Sequence, residues 1–187
     1  MRLHLLLIAA LLLLGACQTT QLNRDFDPNR DFAAYRSWSW LEPAVQYKPD
    51  DPRLKSDLTE QRIRSAIADQ LDQRGLRAAP SGATGALGVR VWLIVDQRQD
   101  QVTTQFGGAW GSPWAGGFWG GPGYSETRTV DYQVGTLQID LYDSKDGKLV
   151  WRGSGRQVLR DNQPNPGERS AAIRETVAKV LSQYPPH

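Results

Sequence analysis

Residues 130–159 read VDYQVGTLQIDLYDSKDGKLVWRGSGRQVL, and this stretch decides the fold. Val130, Tyr132 and Val134 share one phase of a two-residue alternation, whereas Leu137, Ile139 and Leu141 share the opposite one. Alternation of this kind belongs to a half-buried strand, here spanning residues 126–143. The phase change falls at Gly135-Thr136, which predicts a bulge that keeps both apolar sets on one core. Asp146-Gly147 is a turn signal, so residues 148–159 return as the partner strand of a hairpin.

Working outward, residues 87–97 (LGVRVWLIVDQ) read as another strand. Leu87, Val89, Val91, Leu93 and Val95 lie on one face, and Trp92 and Ile94 mark the other as at least partly covered. Residues 56–74 read as a helix. Asp57 with Glu60 fits a capping box, Ile63, Ile67 and Leu71 form one stripe, and Gly75 stops the helix beside Leu76. The earliest strand signal comes from residues 25–27 and 31–41, where Trp38 and Trp40 alternate with Ser37 and Ser39. Pro43, Pro49 and Pro52 predict an irregular loop over residues 42–53. Asn165-Pro166-Gly167-Glu168 opens a last helix with Ile173, Val177, Val180, Leu181 and Tyr184 buried, and Pro185-Pro186 close it. The expected order is β-α-β-β-β-α. It describes an α+β two-layer sandwich, a mainly antiparallel sheet of about four strands with two helices on one face. No internal repeat is visible.

Composition excludes much chemistry. The chain has 187 residues, 22 basic against 20 acidic, and the two signs alternate rather than forming blocks. No basic stripe exists to track phosphates, so nucleic acid is not an expected partner. The only histidines are His4 and His187, and the only cysteine is Cys17. Ser-His-Asp and Cys-His catalysis therefore lack their base, and the common zinc and copper sites lack their ligands. No metal and no cofactor is expected. What remains is a pair of carboxylates of the glycosidase type.

Residues 1–17 read MRLHLLLIAALLLLGAC. An apolar run of about twelve is shorter than the roughly 20 residues that span a bilayer, and its charged start and small-residue end read as a secretory signal peptide over residues 1–16. An ordinary signal peptide would leave a lone thiol in an oxidising compartment, where cysteines normally pair. Leu14-Gly15-Ala16-Cys17 resembles the lipobox of bacterial lipoproteins. That resemblance implies diacylglyceryl transfer to Cys17, cleavage before it and acylation of the new amino terminus, with residues 17–24 as an acylated tether and 25–187 as one periplasmic domain. Gln18, in place of Asp, implies sorting to the outer membrane of a Gram-negative bacterium. One acyl chain holds only marginally, whereas three anchor durably.

Residues 106–124 (FGGAWGSPWAGGFWGGPGY) hold eight glycines, and no charge lies between Asp100 and Glu126. One reading is a low-complexity loop whose length is nearly free of entropic cost. The other is a contact surface formed by Trp110, Trp114, Phe118, Trp119 and Tyr124. Such rings suit a membrane interface, the sugar faces of peptidoglycan or lipopolysaccharide, or a partner protein. Without a lysine or a GxGxxG spacing, the segment is no phosphate cradle.

Three segments carry a wider resemblance. They are residues 31–40 (DFAAYRSWSW), residues 132–141 (YQVGTLQIDL) with 149–153 (LVWRG), and the last helix running into Tyr184-Pro185-Pro186. Together they resemble the bacterial lipoprotein group called domain of unknown function 4136. The resemblance covers the chain from about Asp25 onward and implies a periplasm-facing lipoprotein domain with no assigned activity and no catalytic residue. Within these motifs Asp140, Arg152 and Arg156 form a candidate cluster. The alternation puts Asp140 on the solvent face, with the arginines pairing across the hairpin as surface charges. The leading expectation is a non-enzymatic outer-membrane lipoprotein that binds or scaffolds in the cell envelope. Its partners would be the membrane, through the Cys17 lipid, and an envelope protein or peptidoglycan. The alternatives are a carboxylate-dependent peptidoglycan or glycan hydrolase and a carrier of lipid or another hydrophobic ligand.

Overall fold

A computed structural model describes residues 20–106, 124–159 and 165–186. Its elements are β1 (Gln21–Phe26), β2 (Ser37–Lys48), α1 (Asp57–Gln73), β3 (Arg77–Ala78), β4 (Leu87–Phe106), β5 (Tyr124–Asp143), β6 (Leu149–Leu159) and α2 (Pro166–Leu181). The class is α+β with two helices, as the sequence indicates, but the sheet differs from expectation. It has six strands in the order β1-β6-β5-β4-β2-β3 and is mixed, because β2 runs parallel to both β4 and β3. The element order is therefore β-β-α-β-β-β-β-α rather than β-α-β-β-β-α. A helix joining two strands is the ordinary way to make them parallel, and α1 does this between β2 and β4.

The missed strands have physical reasons. β1 reads QLNRDF and is exposed at nearly every position, so it has no apolar alternation to reveal it. Its backbone simply pairs antiparallel with the edge of β6, from Gln21 opposite Arg156 to Phe26 opposite Trp151. β2 continues through Pro43, where regular structure was not expected. The β2–β4 register slips between Trp40 and Val45, and a proline in such an irregular stretch need not donate a ladder hydrogen bond.

The helix ends follow local chemistry. The cap of α1 is Ser56 rather than Asp57, its Oγ accepting the Thr59 N–H at 3.3 Å. Gly75 takes φ +80°, and the N–H groups of Gly75 and Leu76 donate to the Asp72 and Leu71 carbonyls. That is a Schellman ending, with the left-handed residue that glycine supplies cheaply. At α2 the expected capping box is complete. Asn165 Oδ1 accepts the Glu168 N–H at 2.9 Å, and Glu168 Oε2 accepts the Asn165 N–H at 3.0 Å.

Both helices share one core with Val89, Val91, Ile139, Leu141 and Trp151. The approach of α2 to the sheet depends on glycine. A Cβ at Gly153 would collide with the Trp151 ring and sit 2.9 Å from Val180, and one at Gly155 would sit 3.1 Å from Val180. At the base, Trp151, Tyr184, Phe32, Tyr35 and Phe26 form a chain of edge-to-face contacts with ring centroids 5.6–6.2 Å apart.

The bulge expected at Gly135-Thr136 is not there. β5 pairs without a shift through these residues on both sides, and its one irregularity falls between Leu141 and Tyr142. Val130 and Tyr132 therefore face away from Leu137, Ile139 and Leu141. Val130 is 37 % exposed, so the change of phase marks where the strand leaves the core rather than a device that keeps it there.

β4 and β5 form twenty registered pairs, from Leu87 opposite Asp143 to Phe106 opposite Tyr124. β2 accompanies β4 only as far as Ile94, and β6 accompanies β5 only from Gln133. Residues 98–106 and 124–132 thus leave the sheet as a two-stranded ribbon, at the end of the domain opposite the aromatic base.

Gly85 offers a direct check on the packing between β2 and β4. A Cβ there would run into the main chain of Trp38, and backbone cannot step aside as a side-chain tip can. Gly85→Ala is expected to lower stability by about 1–3 kcal/mol, the usual cost of overpacking. Chemical denaturation of the chain from Gln18 onward measures it, and an unchanged midpoint would contradict this packing.

Candidate functional site

The antiparallel register sets Asp140 directly opposite Arg152. Arg152 Nε and one terminal nitrogen donate to the two carboxylate oxygens at 2.7 and 2.8 Å. Gln138 Nε2 lies 3.2 Å from both oxygens, and the Tyr142 hydroxyl donates to Oδ2 at 3.3 Å. Asp140 is fully buried, which corrects its expected place on the solvent face. It does alternate with the helix-facing residues, but mid-sheet its long neighbours close over it, and the Arg90 guanidinium lies over the Tyr142 ring at 5.8 Å. Arg156 is opposite Thr136 and Gln21 instead and stays exposed, so it is not part of the cluster.

This cluster is a fastener. The Asp140 hydrogen bond holds the Arg152 pKa above its ordinary value, and burial, then the Asp140 charge, raise that of Tyr142. With both oxygens engaged, removing Arg152 would strand a buried charge.

A second polar cluster locks the base. Arg30 reaches Asp27 at 3.2 Å, Asp143 at 2.9 Å and Asp146 at 2.6 Å, tying the β1–β2 connection to the β5–β6 turn. The Tyr35 hydroxyl donates to Asp143 at 2.9 Å, and burial, reinforced by that carboxylate, pushes its pKa up to about 12. Asp146 is held below the usual carboxylate range mainly by its hydrogen bond from Arg30. Among the described residues, no three of His, Cys, Asp and Glu gather to hold a metal ion, and no helix is long and apolar enough to cross a membrane.

The opposite end is open. Between the amino-terminal halves of α1 and α2 and the sheet lies a groove of about 290 Å³. Ile63, Leu93, Leu137, Leu159 and Ile173 make it apolar, while Gly135, Gly155 and Ala172 leave it unfilled. Arg169 is the only charged residue among its described walls. Tyr47 also lines the groove, and burial raises its pKa. Thr20 lies beside Gly155 and Thr176 at this rim, and β1 begins one residue later. The ribbon leaves from the same end.

Of the residues singled out from sequence, Cys17, Trp110, Trp114, Phe118 and Trp119 lie outside the described residues. Tyr124 opens β5, in register with Phe106 at the ribbon's end. The groove has no signal in the sequence because its walls come from six separate segments. The ribbon had a signal, the threonine- and valine-rich stretches 102–104 and 127–130 that flank the glycine-rich segment.

A family model described as a domain of unknown function (DUF4136) matches residues 22–186. Among solved structures, a DUF4136 family protein from Bacteroides thetaiotaomicron superposes with a TM-score of 0.51 at 17 % identity, covering 89 % of this chain and 96 % of that one. A PDZ domain protein from Parabacteroides distasonis gives a TM-score of 0.54 at 14 % identity, covering 90 % of this chain and 36 % of that one. The present chain therefore spans little more than a third of that protein, and at these identities the likeness shows fold alone. Comparison with the curated proteins returns no match. With the model spanning nearly the whole chain, including the β5–β6 hairpin and both helices, the chain belongs to the DUF4136 family.

Proposed function

We propose that this chain is an outer-membrane lipoprotein, anchored through Cys17 and facing the periplasm, that acts as a non-enzymatic binding or scaffolding module. The observation that carries the reading is a coincidence of position. The chain's entry at Gln21, the mouth of the apolar groove and the root of the ribbon all lie at one end of the domain. A module tethered by its amino terminus would offer that end to the envelope. The lipobox-like Leu14-Gly15-Ala16-Cys17 supports the anchor.

The polar clusters support binding over catalysis. Asp140 and Asp143 are both held by guanidinium and phenol donors. No carboxylate lies among the described walls of the groove. A glycan hydrolase needs two carboxyl groups roughly 5–9.5 Å apart flanking the substrate. The groove itself favours a second reading, a carrier of a hydrophobic ligand, since pockets for such ligands are concave and mainly apolar.

Two measurements check these readings. In cells fed an alkyne analogue of palmitate, the natural chain is expected to take the label and fractionate with the outer membrane. Cys17→Ser should do neither, and an unlabelled natural chain would contradict the anchor. An apolar naphthylamine dye should bind the chain saturably, and Ala172→Trp, which fills the groove, should abolish that binding. Equal binding to both would remove the groove from the carrier reading.

A further inference from the structure

We infer that the ribbon of residues 98–106 and 124–132 is a second contact with the bilayer that holds the Cys17 lipid, standing in its headgroup layer. The inference rests on the anchor reading above and adds to it which surface meets the membrane. Strand register supplies the geometry. Gln21 is level with Arg156, Arg156 with Thr136, and Thr136 with Ile94. β1 is antiparallel to β6, so Thr20 and Gln21 stand at the end of β1 that lies towards the ribbon.

Lengths then decide the contact. Cys17 is four residues before Gln21, which limits the tether to about 14 Å. From Ile94 to Phe106 is twelve residue steps, about 40 Å at roughly 3.3 Å each. Two to three strands separate β1 from the ribbon, and a twist of about 20–25° per strand turns one from the other by roughly 55°. A projection of roughly 20 Å along β1 still remains, more than the tether can span. With the bilayer plane lying across the β1 direction, the ribbon therefore reaches the plane of the lipidated residue.

The chemistry of the ribbon fits headgroups better than hydrocarbon. One face carries Gln99, Gln101, Thr103 and Gln105 opposite Asp131, Thr129, Thr127 and Ser125, with the Thr103 and Thr127 hydroxyls 2.9 Å apart. The other sets Val102 opposite Arg128 and Val130 opposite Asp100, with Val102 42 % exposed. Charges of both signs beside valines suit a zwitterionic, half-wet layer.

The test uses the full-length lipidated protein in phosphatidylethanolamine–phosphatidylglycerol vesicles, with mass spectrometry first establishing the lipid on Cys17. Val102→Cys, Val130→Cys and Leu149→Cys, each labelled with a nitrobenzoxadiazole dye, are compared for quenching by lipids carrying a headgroup nitroxide. Leu149 lies at the base and is the control. Several-fold stronger quenching at 102 and 130 than at 149 is expected. Equal, weak quenching at all three sites in a chain shown to be lipidated would overturn the ribbon contact while leaving the anchor standing. A chain without lipid would overturn both. Quenching at 102 and 130 that disappears when a protein partner is washed away would assign the ribbon to that partner and overturn the membrane contact. Unchanged melting of the three variants shows that each is folded.

Discussion

The β4–β5 ladder is the constraint on which the rest of this molecule depends. Twenty pairs run without a shift, but the structure around them covers only part of their length. Over the covered part, β2 and β6 flank the ladder and both helices close one face, so that Val89, Val91, Ile139 and Leu141 are fully buried. Beyond Gln97 and Gln133 the same ladder continues with no third strand among the described residues. One continuous pairing thus builds both a packed body and a bare projection. Its register fixes where the chain enters, where the groove opens and which way the ribbon points.

The buried polar groups strengthen the body. Asp140 is satisfied by Arg152, Gln138 and Tyr142, and the Arg30 cluster joins loops distant in sequence. Breaking such a pair leaves an uncompensated buried charge, which is far more costly than the pair is stabilising. Glycine plays the complementary part. Gly153 and Gly155 let α2 settle on β6 above Trp151, and beyond them the helix and sheet leave the apolar groove. The domain is closed by aromatic rings at one end and open at the other.

Much of this was legible in the sequence, for identifiable reasons. The β5–β6 hairpin, α1 and α2 show themselves through periodicity and through Gly75, Asn165 and Glu168, whose roles are local. The hidden features are non-local. β1 has polar residues at most positions and pairs through backbone alone. Pro43 sits in a strand because the pairing is irregular there. Asp140 alternates correctly with the core, yet burial on the second face of a sheet depends on how long its neighbours are. The phase change at Gly135-Thr136 is real in the sequence, but it marks the strand leaving the core rather than a bulge. Apolar alternation marks a side chain that tolerates cover, while only the tertiary structure decides whether cover exists. Cys17 and the tryptophans of residues 110–119 lie outside the described residues.

Amide hydrogen exchange on the full-length protein in vesicles, set against Cys17→Ser in solution, tests the central claim most directly. If the open end of the domain faces the bilayer, amides of residues 98–106 and 124–132 should exchange markedly more slowly in the anchored protein. Those of residues 87–95, already inside the sheet, should exchange alike in both. Ribbon amides that exchange equally fast with and without the anchor would contradict the account.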